Sequence, residues 1–461
     1  MKNHRKALML AAALGLAAVP AVAFVPLAGA SPAPCKVRDT TRSTTPASFA
    51  SLSSAVGSPQ VKAGDTLKVS GTCLGDTTIN KNLTINGSAT LNGNNSSSNS
   101  GSVVTVDASV TAKISGLTIT GGYANGFPVN TAGGGIYNLG TLTLANSDVT
   151  GNLANNGGGI LNLGTLTLTN SGVTRNIGAT RPFANGGNIA NGGGIANGGT
   201  LTLTNSTVNR NTASGFGGGI DNGGGTLTLA NSTVDHNTGF GGGGIYNGGV
   251  PLTLTNSTVN GNTATGGLGG GIFNVAGSAA LTNSTINGNS ARSGGGIYNN
   301  GVVTLTRSSV TGNTAPVVGS GVGGGIFNDN SGALTLTNSS VNHNSAIYGG
   351  GIYNFGTVSL TKSSVTGNTA HGGGGIYNYS GTLTLSNSAV KDNTADAAPG
   401  FLQGLGGGIF NDGPATLTLN GSSTVTGNRA VSGGGIYSLG ALVNCIAGVN
   451  VKDNSPDNIV G

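Results

Sequence analysis

The sequence predicts an all-β fold: a right-handed single-stranded parallel β-helix of about 14–15 coils with three short strands per coil. Three observations predict it. A unit of about 25 residues recurs, and twelve units open with GGGI, from Ile136 through Ile272 and Ile352 to Ile436. Within each unit, stretches such as Thr165–Thr169 alternate leucine and threonine, so Leu166 and Leu168 face one side and Thr165, Thr167 and Thr169 the other. Two columns of asparagine recur at fixed offsets, one after the GGGI pair (Asn138 to Asn411) and one closing a Val-x-x-Asn stretch (Asn152 to Asn428). A single coil cannot bury its few apolar side chains, but stacked copies ~4.8 Å apart pair every strand and close a continuous core.

The elements follow in chain order. Residues 1–30 read as a secretory signal peptide: Lys2, Arg5 and Lys6 precede an apolar run, and Ala28-Gly29-Ala30 offers small residues for cleavage. Residues 31–60 read as an N-terminal cap, in which Phe49, Leu52, Ala55 and Val56 form a short helix over the open end. Residues 61–132 are irregular first coils, and residues 133–461 are the regular GGGI repeats. From Ile to the second-column Asn the spacing is nearly constant, so insertions leave from one corner, the longest at Ile177 to Asn191, Thr314 to Val322 and Thr394 to Leu405. The asparagines are expected at left-handed corners, with amides bonded from rung to rung.

Composition narrows the function classes. The charge of +6 falls to +3 for the exported chain, since three of 19 cations leave with the signal against 13 carboxylates, so no nucleic-acid partner is implied. Every acidic residue is Asp, and 88 glycines leave little material for a helical domain. No stretch after residue 30 is apolar enough to cross a bilayer, so no integral membrane segment is expected. Export to an oxidising compartment predicts a Cys35–Cys73 disulfide, with Cys445 left as a buried thiol near the C-terminal end.

At the level of the repeat, GGGI followed by Val-x-x-Asn, as in Val310 to Asn313, resembles bacterial right-handed β-helix proteins with polymorphic outer membrane protein-type repeats, from Gly133 to about Asn454. That group uses Phe-x-x-Asn where this chain uses Val-x-x-Asn. The resemblance implies a secreted or cell-surface, adhesin-like protein. Gly64 to Gly93 is similar to the opening coils of many secreted β-helix proteins.

Candidate chemistry is sparse. Paired carboxylates or a carboxylate cluster would mark a pectin-lyase-like polysaccharide-degrading enzyme. Asp148, Asp235, Asp329, Asp392 and Asp412 fall in different columns or distant rungs, and no catalytic, metal or cofactor residue is assigned. His236 and His343 share a column four rungs apart, too far to share a metal. The GFGGGID stretch ending at Asp221 is a near miss to a calcium-binding nonapeptide, and Arg175, Arg210 and His236 form a short basic column.

Two ladders stand out as surfaces. The residue after the GGGI isoleucine is aromatic on every rung from the fifth onward: Tyr246, Phe273, Tyr298, Phe327, Tyr353, Tyr377, Phe410 and Tyr437. Alternation points these rings outward, where they either stack on one another or offer a strip to apolar sugar faces. Thr-x-Thr pairs, including Thr141/Thr143, Thr202/Thr204, Thr253/Thr255, Thr304/Thr306, Thr335/Thr337 and Thr382/Thr384, form a wet-face array whose alternative use is ice binding. The expected protein is a monomeric, extracellular or surface-associated binding module for a polysaccharide or cell-surface glycan. The enzyme and ice-binding readings stay open.

Overall fold

A computed structural model describes residues 32–41, 47–94, 101–124, 133–179, 190–316, 321–397 and 404–461. Residues 1–30, expected to be a signal peptide, and the tips of the three long insertions lie outside the described residues. Residues 34–461 form one compact unit, a right-handed parallel β-solenoid of about 13 turns. That is slightly fewer than the coil number expected from the repeats. The last strand is Ile459–Val460, which pairs with Ile436–Ser438.

One coil illustrates the rest. Ile352–Asn354 is followed by Thr357–Thr361, Ser364–Thr366 and the two-residue Thr369–Ala370. Each pairs in parallel with its copy on the next rung, Ile352 with Ile376 and Leu360 with Leu385. The first strand type builds a 15-stranded sheet, and the second and third share a 30-stranded sheet. A short fourth strand is therefore added to the three expected, present on only some rungs. Ile352, Val358, Leu360 and Val365 point into the lumen and are fully buried. Burial stabilises each such side chain by ~1.5–3 kcal/mol, and the same four positions repeat up the stack.

The triple glycine has a steric cause. Its first member takes a left-handed backbone on every regular rung but the first, with φ between +59° and +66° from Gly157 to Gly433. At the second, as at Gly295, a Cβ would lie 2.5 Å from the carbonyl oxygens of Gly324 and Thr314. Backbones of neighbouring coils touch here, so no side chain fits.

Both asparagine columns are buried ladders. Asn138 Nδ2 donates to Asn162 Oδ1 at 2.7 Å, and the relay continues to Asn411. In the second column, from Asn176 onward, each Oδ1 accepts both the backbone N–H and the Nδ2 of the asparagine on the rung before, as Asn262 does from Asn237. The left-handed corners fall elsewhere than expected. They belong to the residue before the second asparagine, such as Arg175, Arg210, His236 and His343, and to the residue after each Leu/Thr strand, such as Asn256 and Asn283. The ladder asparagines turn their amides inward and leave the corner itself to their neighbours. A third ladder was not anticipated: buried serines from Ser147 to Ser423 accept a backbone N–H from the preceding rung, as Ser257 does from Ser232.

The N-terminal end is covered. β1 (Lys36–Asp39) pairs antiparallel with β2 (Ser48–Phe49) and with β3 (Thr66–Leu74), which would otherwise be an open edge. The helix α1 (Leu52–Gly57), capped by Ser51 through the Ser54 N–H, buries Leu52, Ala55 and Val56 over the core. Phe49 is not part of it; its place on β2 leaves it half-buried against the same cluster. Cys35 and Cys73 are joined by a disulfide that ties the segment before β1 to β3. Cys445 is half-buried where full burial was expected, and burial pushes its thiol up to about 11. No helix among the described residues is long and apolar enough to cross a membrane.

Candidate functional site

The aromatic position follows an isoleucine that faces the lumen, so its ring leaves the coil on the other side. All eight predicted rings, Tyr246 to Tyr437, come together in one column outside the main core. They are not a flat exposed strip. Phe327 and Tyr353 are 8 % exposed, Tyr377 5 % and Phe410 3 %, whereas Tyr246, Tyr298 and Tyr437 are half-buried. Val322, Tyr348 and Leu405, which come from the insertion corner, pack against them.

The rung spacing explains the burial. Tyr298 and Phe327 stack with centroids 4.8 Å apart, Phe327 and Tyr353 at 5.5 Å, and Tyr353 and Tyr377 at 4.9 Å, with interplanar angles of 17°, 7° and 16°. From Tyr298 to Tyr377 each ring hides its neighbour's face, whereas the flanking pairs Tyr246–Phe273, Phe273–Tyr298 and Phe410–Tyr437 meet edge to face. Tyr298 Oη donates to Asp329 Oδ2 at 2.6 Å and Tyr377 Oη to Asp412 Oδ2 at 2.8 Å. Burial first, then these carboxylates, push both phenols well above their usual range, so they remain neutral donors. Burial also raises Tyr353, with smaller contributions from Tyr379, Asp412 and Tyr348.

Five aromatic residues outside the predicted set extend the column, among them Phe240, edge-on to Phe216. Phe216 caps it below Tyr246 at 4.8 Å, and Tyr348 meets Tyr377. Phe355 and Tyr379 form an outer pair at 4.9 Å that contacts Tyr353. The signal for the outer pair lies in the sequence: an aromatic two residues after the IY ring, as in IYNF and IYNY. Tyr379 is exposed. Beside Phe355, the rim opens into a cavity of about 320 Å³ walled by Phe327, Tyr353, Phe355, Leu268 and Val322. Arg292, Ser293 and the Gly266–Gly267 backbone supply its polar side. Aromatic walls beside a guanidinium suit a ring-shaped, hydroxylated ligand that presents one apolar face.

Asp221 occupies the aromatic position one rung before Tyr246. It is buried, its Oδ1 has no hydrogen-bond partner, and desolvation pushes its carboxyl up to about 7. Burial, then the Asp221 charge, raises Tyr246. His236 Nδ1 lies 3.0 Å from Asp235 Oδ2. Among the described residues no three His, Cys or Asp side chains converge as a metal site would require. The two threonine files stand in register: Thr141, Thr165, Thr200 and Thr226, and Thr143, Thr167, Thr202, Thr228 and Thr253.

Compared with known proteins, the chain matches no protein-family model, no curated protein and no solved structure.

Proposed function

We propose that this chain is a secreted or cell-surface, adhesin-like binding protein directed at glycans, with the rim of the aromatic column as its contact region. The observation that carries the reading is the cavity of about 320 Å³ between Arg292 and the Phe327, Tyr353 and Phe355 rings. Its walls match one sugar ring at a time, and the repeated column beside it gives further weak contacts to a polymer. The repeat's resemblance to polymorphic outer membrane protein-type repeats supports surface placement, as does the signal-like segment at residues 1–30. Whether residues 1–30 direct export is tested by following the protein into the culture medium with and without them.

The binding test is a glycan array and cell-wall pull-down with the intact protein and with Phe355→Ala, Tyr379→Ala and Arg292→Gln. These side chains border the rim and lie outside the lumen, so the variants keep the fold and lose glycan retention together. A parent protein that retains no glycan, or rim variants that bind as well as the parent, would remove the reading.

The register of the threonine files favours a second reading, ice binding, because Thr methyl and hydroxyl groups recur ~4.8 Å apart between rungs and ~6.8 Å along a strand. It predicts inhibition of ice recrystallisation that disappears in Thr167→Tyr and Thr202→Tyr. Recrystallisation unaffected by the parent protein closes it.

A further inference from the structure

A second concave surface lies away from the aromatic column. Where each Leu/Thr strand bends into the following Val strand, a furrow of about 600 Å³ runs along the solenoid from Asn283 to Thr424, across six rungs or ~24 Å. Its floor is the buried serine ladder, here Ser308, Ser339, Ser363 and Ser388. One wall is the column of left-handed corner residues. The other is the outward residue that follows each floor serine.

Two departures from the repeat coincide in this stretch. The second wall carries threonine at Thr207, Thr233, Thr258 and Thr285, then changes to Ser309, Ser340, Ser364 and Ala389 on four successive rungs, and returns to Thr424. The loss of a methyl group from each rung widens the furrow there. Within those same rungs, the corner column replaces asparagine with Arg307 and Lys362. Both hold a left-handed backbone, at φ +49° and +50°, that asparagine tolerates better than a long side chain. Local preference is thus overridden at the two positions that bring positive charge to the widened part.

The cations are two rungs apart, ~10 Å. Arg307 Nε donates to Asn283 Oδ1 at 2.8 Å, which lays the guanidinium along the rim. Among the described residues neither cation pairs with a carboxylate, and no acidic side chain lines the furrow. Lys391, on the outer face of the strand that carries Ala389, adds a flanking charge.

We infer that this furrow binds an extended anionic polysaccharide, with Arg307 and Lys362 meeting its carboxylates and the Ser, Thr and Asn side chains its hydroxyls. The chemistry favours a sugar polymer over a nucleic acid. No aromatic side chain lines the furrow to stack a base, whereas its serine, threonine and asparagine side chains match the hydroxyls of a sugar polymer. The inference rests on the binding function proposed above only in taking the ligand to be a polymer; its residues are separate from the aromatic rim.

The test is calorimetric titration of the full protein with polygalacturonate, with its methyl-esterified neutral counterpart, and with single-stranded DNA as competitor. Polygalacturonate is expected to bind at least about tenfold more tightly than the ester, and the Arg307→Gln, Lys362→Gln double variant to lose about tenfold in affinity. Added salt weakens the parent and has little effect on the double variant. Ser340→Phe, which fills the furrow and leaves both cations in place, also loses binding. The inference is overturned if the ester binds equally well, if the double variant binds polygalacturonate like the parent, or if DNA displaces it at equal concentration. Neutral-glycan retention that depends on Phe355 and Tyr379 reports on the rim alone, so either site can fail without the other.

Discussion

Buried amides carry an unusual share of this molecule's specificity. Asn262 Oδ1 accepts from Asn237 N–H and Nδ2, while its own Nδ2 donates to Asn289 Oδ1 and to the Val234 carbonyl. Removing it strands several buried partners, and each stranded group costs ~1–3 kcal/mol. Asn262→Ala should therefore destabilise by about 3 kcal/mol or more in urea unfolding, against less than about 0.5 kcal/mol for the surface change Thr253→Ala. Similar midpoints for the two would show that the ladder is ornamental. The rings follow the same logic. Outward orientation alone suggests that truncating them is cheap, but Tyr377 is buried in its column, so Tyr377→Ala should cost ~3–5 kcal/mol and Tyr377→Phe, which loses only the Asp412 bond, about 1 kcal/mol. Asp221 adds a pH dependence. Its carboxyl is raised by burial from 3.8 to about 7, so the fold holds a proton that the unfolded chain has already released. Stability then falls as pH rises from about 4 to about 7, by up to about 4 kcal/mol. Asp221→Asn keeps the shape and removes the charge; its melting temperature should match the parent near pH 4 and exceed it at pH 8. Parallel curves across that range would contradict the assignment.

Strands, corners and cap differ in how far the sequence discloses them. The Leu/Thr strands and the GGGI strands were legible because alternation and period act locally and repeat many times. The serine ladder was not, since Ser after Asn reads as turn chemistry, and its burial depends on which way the left-handed residue turns the chain. The burial of the aromatic column was equally hidden. Ring orientation follows from alternation, but burial depends on Val322, Tyr348 and Leu405 arriving from insertions of unequal length. The outer pair Phe355 and Tyr379 is visible as a spacing, but its contact with Tyr353 depends on the stacking of neighbouring rungs. At the N-terminal end, β1 covers an edge of β3, α1 covers the core, and the Cys35–Cys73 bond holds the segment in place. Cys35→Ser with Cys73→Ser should lower stability by ~2–4 kcal/mol, and deleting the residues before Gly64 should promote end-to-end association by exposing that edge. An unchanged, monomeric sedimentation profile after the deletion would remove the capping role.

As a whole, the solenoid is a stack of near-identical coils, and its stability is a sum over nearest-neighbour contacts. The same repetition shapes what it can do. The rim cavity and the furrow are both shallow and lie along the stack, so each local contact is weak and gains come from engaging several rungs of one polymer at once. Asp329 and Asp412 accept from tyrosine hydroxyls of the column, and Asp235 lies beside His236. The most direct measurement of this account is the affinity of the intact protein for oligosaccharides of one chemistry and increasing length. Binding that strengthens steeply with length, then levels off once the chain spans ~24 Å of the stack, is the predicted result. An affinity independent of length, or no binding at any length, would contradict it.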